Sequence, residues 1–147
     1  MRVFKQRQSS TCAPRSIQTA LVYFGIECKY SKIKSLCGTD YIGTSIPNIS
    51  KAVEYFGLRT NEYIGSEVDI EKIVEGINSG ALVMVHWHIG NGISHVANAY
   101  GYDDKFIYLT DTSAHLYTEP FIAMRKTMLE RCWLSHPDSR WLLVMYL

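Results

Sequence analysis

Apolar residues recur at the helical period in the first half of the chain and run almost continuously in the second, with the change near residue 80. Within 12–24, Ile17, Ala20, Leu21 and Phe24 stand at i, i+3, i+4 and i+7, which predicts a helix ending at Gly25. Pro14 fits only its first turn. A short helix over 31–36, stopped by Gly38, is expected next. A third over 45–56 carries Ile49, Val53 and Phe56 on one face and stops at Gly57. A fourth over 68–78 carries Ile70, Ile73, Val74 and Ile77, with Gly80 beyond its end.

From Ala81 the pattern becomes that of strands. Residues 81–88 read as a strand, 90–92 as a Gly-rich turn and 94–102 as a second strand; Asp103 and Asp104 make a tight turn into a third over 106–110. This is an antiparallel meander. A helix is expected over 120–132 and a last buried strand over 141–146. Helices followed by a sheet, without a linker or repeat between them, predict one α+β domain over residues 1–147.

Composition narrows the function. Hydrophobic residues at 47% and charged residues at 20% suit a packed core and exclude disorder as the main state. A net charge of +1 is too small for the basic footprint of nucleic-acid binding. Residues 81–102 hold no Lys, Arg, Asp or Glu, which raises a membrane span. His86, His88, His95, Asn91 and Asn98 are costly in hydrocarbon, so the stretch reads as two buried strands. The N-terminus lacks the apolar core of a signal peptide, and four cysteines are too few for a disulfide scaffold. Both point to a reducing, cytoplasmic setting.

That makes each thiol a question of chemistry. Cys12 stands at the start of the first helix, behind Ser9, Ser10 and Thr11, any of which suits the N-cap. A helix N-terminus favours a thiolate, which is the nucleophilic form. His95 begins the second meander strand and Asp111 closes the third, so a short turn between the strands makes the two neighbours. A carboxylate beside an imidazole fixes its tautomer and aims the other nitrogen at a nucleophile.

The stretch Gln6 to Pro14, continued by Ala20-Leu21-Val22-Tyr23-Phe24-Gly25, resembles the start of the C39 family of papain-like cysteine peptidases, in which Gln, five residues and Cys precede a helix. Gly43-Thr44-Ser45, Gly57-Leu58-Arg59, and Ser94-His95-Val96 followed by Asp111 look like further landmarks of that family. The resemblance spans about residues 4 to 113. It implies a papain-like fold with Cys12 as nucleophile, His95 as general base and acid, Asp111 as orienter and Gln6 as oxyanion donor beside the Cys12 N–H. Gln8 is the competing donor. The substrate it implies is a protein or peptide cut after a Gly-Gly pair. Thr11, Ala13 and Thr112 stand where the family usually has Asp, Gly and Pro, which bears on subsite shape.

Two settings fit such a domain: processing of bacteriocin leaders, or a bacterial toxin or effector protease opposed by an immunity protein. The departures near Cys12 and the segment beyond residue 113 tilt towards the effector. A transferase or glutamine deamidase using the same triad, and an inactive peptide-binding module, are the alternatives. His86 and His88 share a strand face but find no further ligand at a recognisable spacing, so no metal or cofactor is expected. They read as a polar groove wall, with Trp87 opposite in the core. His115 and His136 read as loop histidines, and Cys28, Cys37 and Cys132 as structural.

Overall fold

The structure is a computed structural model that describes residues 1–4, 11–40, 44–90, 93–110 and 121–147. Helices α1 (Cys12–Tyr23), α2 (Tyr30–Cys37) and α3 (Ile46–Tyr55) come first. They are followed by β1 (Arg59–Ile64), α4 (Ile70–Asn78), β2 (Leu82–Gly90), β3 (Ile93–Tyr102), β4 (Phe106–Thr110), β5 (Phe121–Arg125), α5 (Lys126–Ser135) and β6 (Trp141–Tyr146). The strands form one sheet in the order β1-β6-β2-β3-β4-β5, and every described pairing is antiparallel.

The first four helices fall where periodicity expects them. Ile17, Ala20 and Leu21 of α1 are fully buried. Gly38 ends α2 in the left-handed region at φ 60°, where a Cβ is disfavoured. Asp69 caps α4 by accepting from the Lys72 N–H at 2.9 Å. The expected turn is also present: one Asp103 carboxylate oxygen accepts from the N–H groups of Lys105 and Phe106 at 2.8 and 2.7 Å, closing the β3–β4 link.

Two strands depart from expectation. Residues 121–125, read as the start of a helix, form β5, which pairs along β4 from Thr110↔Phe121 to Phe106↔Arg125. Their apolar positions fit either period; the unfilled edge of β4 decides, with Ile122 half-buried and Met124 buried while their neighbours stay exposed. The helix starts only at Lys126. β1 escapes notice because it is polar and largely exposed, and it precedes α4, so helices and strands are less cleanly segregated than expected.

The sheet is covered on both faces, which is why its central strands read as unbroken apolar runs. Leu82, Met84, Val96, Trp141, Leu143 and Met145 pack with α1, α2 and α3 on one side. Val83, Val85, Trp87, Ala97, Leu142 and Val144 pack with Ile73 of α4 and with Leu129 and Trp133 of α5 on the other.

Gly76 shows how close this second layer lies. A Cβ at that position would stand 2.6 Å from Cγ2 of Val83, a stiff and fully buried side chain. Gly to Ala within a helix ordinarily stabilises by roughly 0.5–1 kcal/mol. Here Gly76→Ala is expected to destabilise by about 1–3 kcal/mol, because the helix must lift from the sheet. Urea denaturation of the variant checks it; a gain in stability would refute the contact.

Candidate active site

Cys12 is the first residue of α1 and is half-buried against the core beneath the helix. The preceding Thr11 occupies the N-cap position without a side-chain capping bond; Ser9 and Ser10, the other expected caps, lie outside the described residues. His95 lies near the start of β3 and is only 6% exposed. Its ring meets that of Trp87, its partner across β2, edge to face at 5.4 Å and 86°. Trp87 is itself buried in the core, as its alternation with His86 and His88 predicts.

Hydrogen bonds fix how α1 meets β3. The Asn98 side-chain amide donates to the Ser16 carbonyl at 2.9 Å, and the Ser16 hydroxyl donates to the Val96 carbonyl at 3.4 Å. Helix carbonyls point to the C-terminus, whereas side chains lean to the N-terminus. Asn98 therefore lies towards the C-terminal side of Ser16 and Val96 towards the N-terminal side. Following β3 back from Asn98 through Val96 to His95 thus leads along α1 towards Cys12, one turn before Ser16. The backbone of the first described residues of β3 thus runs towards the N-terminal end of α1, with the His95 ring on the Trp87 side of the strand.

Asp111, Gln6 and Gln8 lie outside the described residues. Thr110, which precedes Asp111, ends β4 opposite Asn98, and its hydroxyl donates to the Asn98 carbonyl at 3.4 Å. His115 also lies outside the described residues.

The neighbouring histidines are held by the C-terminal part of the chain. His86 Nδ1 is 2.8 Å from the Ser139 carbonyl, Trp133 Nε1–H donates to the His86 carbonyl at 2.9 Å, and the His88 ring lies 4.2 Å from that of His136. Among the described residues, no group of three or more His, Cys, Asp or Glu side chains is arranged to hold a metal.

Burial lowers the His86 pKa, only partly offset by its bond to Ser139, so the folded protein favours the neutral ring. The unfolded chain binds a proton more readily, so this contribution is complete above the ordinary histidine pKa and is lost as pH falls from there through the folded value. Thermal stability is expected to drop between about pH 7 and pH 5, and less steeply in His86→Gln. Parallel slopes in calorimetry would exclude His86 as a source.

Burial also pushes the Cys37 thiol up to about 12, and raises that of Cys28. Both suit packed thiols better than nucleophiles. A cavity of about 930 Å³, lined in part by Phe4, Val22, Ile26, Cys28 and Phe56, lies at the other end of α1 from Cys12. No helix among the described residues is long and apolar enough to cross a membrane.

The fold is that of papain-like cysteine peptidases. It is similar to the double-glycine motif protease of an AMS/PCAT transporter solved with its leader peptide, at 18% identity over 98% of this chain and 89% of that one, with a TM-score of 0.74. The peptidase domain of Streptococcus ComA, a bifunctional ABC transporter of a quorum-sensing pathway, matches at 15% identity, 98% and 96% coverage and TM-score 0.75. A C39-like peptidase from Bacillus anthracis matches at 13% identity, 99% and 94% coverage and TM-score 0.78. No curated protein matches the chain. The Peptidase C39 family model matches residues 1–134, and the chain belongs to that family of cysteine peptidases.

Proposed function

We propose that the chain hydrolyses a protein or peptide after a Gly-Gly pair, with Cys12 as nucleophile and His95 as general base and acid. The observation that carries this reading is the junction at which a helix beginning with a cysteine is bonded to the strand that holds a buried histidine. The Cys12 thiolate attacks the carbonyl carbon of the scissile bond. Imidazolium at His95 then protonates the leaving amine, and the acyl group remains on sulfur as a thioester. Water, deprotonated by neutral His95, attacks the thioester and releases the thiolate and a carboxylate. Gln6 and the Cys12 N–H are proposed as donors to the oxyanion, and Asp111 as the carboxylate that orients the imidazole.

The Gly-Gly preference and the peptide substrate are supported by family membership and by the neighbour solved with its leader peptide. One observation removes a reason for preferring an effector role. The segment after residue 113, which sequence alone reads as an addition, supplies β6 between β1 and β2, and three solved peptidases cover 98–99% of this chain. The segment belongs to the fold shared with those structures.

Incubation with a peptide carrying an internal Gly-Gly pair tests the reaction class. Mass spectrometry is expected to find two fragments whose masses sum to that of the peptide plus one water. An unbroken chain carrying a deamidated glutamine, or an acyl-amine adduct, would replace hydrolysis with deamidation or transfer.

A further inference from the structure

Ser16, Asn98 and Thr110 are all fully buried and polar, an expensive combination in so apolar a core. They are joined in a line: the Asn98 amide to the Ser16 carbonyl, the Ser16 hydroxyl to the Val96 carbonyl, and the Thr110 hydroxyl to the Asn98 carbonyl. The line is incomplete as a stabilising network, because Asn98 Oδ1 is buried without a hydrogen-bond partner among the described residues. Orphaned acceptors of this kind cost stability, and a well-packed apolar residue would avoid that cost. Each member also stands close in the chain to a residue of the proposed site. Ser16 is one helical turn after Cys12, Asn98 is three residues after His95, and Thr110 immediately precedes Asp111.

We propose that Ser16, Asn98 and Thr110 form a buried polar seam whose task is to set the mutual placement of α1, β3 and the end of β4. They are positioning residues for Cys12 and His95, and the inference rests on the roles proposed above for those two. Apolar packing between a helix and a sheet is non-directional, so it sets their relative placement less sharply than hydrogen bonds do. Directional bonds from Ser16 to two points of β3 fix the helix along the strand, and the Thr110 bond adds the next strand to the same register. Acyl transfer is sensitive to such placement: a displacement of about 1 Å can cost ~10²-fold in rate.

The test measures iodoacetamide labelling of Cys12 across pH, each protein being compared with its own His95→Ala partner, alongside thermal unfolding and kcat and KM on a Gly-Gly peptide. In the wild type, His95→Ala is expected to slow labelling below neutral pH. In Ser16→Ala and Asn98→Ala, that dependence on His95 is expected to shrink. Their kcat should fall about 10- to 100-fold with KM within about twofold. Ser16→Thr, which restores the hydroxyl, is expected to recover most of the loss. Thr110→Val keeps the volume and provides the mildest break should Asn98→Ala fail to fold. Seam variants that lose thermal stability but keep the wild-type labelling profile and kcat would overturn the proposal, leaving a purely structural network. If the wild type itself shows no His95 dependence, the Cys12–His95 reading falls, and the positioning role falls with it. If the wild type shows the dependence and the seam variants retain it, the seam alone is refuted.

Discussion

Cys12→Ala is expected to lower kcat on a Gly-Gly peptide by about 10⁴-fold or more while leaving the fold intact. The size of the effect follows from covalent catalysis: without sulfur there is no thioester, and His95 has only water to activate. Half-burial at the start of α1 makes the substitution structurally mild, since one sulfur is lost at the margin of the core and the helix gains a residue of high propensity. Circular dichroism and thermal unfolding should therefore match the wild type. His95→Ala is expected to fall nearly as far, and the double variant no further than the worse single, because residues that act as one unit are strongly non-additive. Retained cleavage in Cys12→Ala would remove this thiol from the chemistry and turn attention to another nucleophile.

Trp87→Ala is the second large effect, and it acts on stability and activity together. The side chain is 2% exposed and packs in the layer shared with α5, so its removal is expected to cost about 3–5 kcal/mol. It also takes away the ring against which His95 stands edge to face. Trp87→Phe retains an aromatic face at smaller volume and should recover part of both losses. Urea denaturation gives the first quantity. The ratio of kcat values at a temperature where both variants are fully folded gives the second. A Trp87→Ala protein as active per folded molecule as the wild type would mean that the strand alone holds the imidazole.

Much of the frame was legible because its signals are local. Ile17, Ala20 and Leu21 mark the buried stripe of α1, Gly38 and Asp69 punctuate helices by their own backbone and side-chain chemistry, and Asp103 builds its turn from one carboxylate. β5 and β1 were not legible because nothing within them decides their state. Phe121 to Arg125 become a strand through the edge of β4, and Arg59 to Ile64 through β6, which arrives some eighty positions later in the chain. Cys12 and His95 stand out by residue type and surroundings. Ser16 and Asn98 were passed over because small polar residues in a helix and a strand ordinarily face water. An Asn between Ala97 and Ala99 in a charge-free stretch was the available signal, since such a side chain needs a partner in the core.

The place of β6 bears on how the molecule comes into being. Trp141–Tyr146 is hydrogen-bonded to β1 on one side and β2 on the other, so it is the keystone between the early helical segment and the meander. Until Trp141–Tyr146 has emerged, β1 has no described strand to pair with and one edge of β2 stands open, inviting pairing with other chains. Assembly from such distant segments is slow, and it leaves hydrophobic strand edges exposed during synthesis. The sheet therefore closes only after the helical segment and the meander have both been made, because the strand that joins them is synthesised after both.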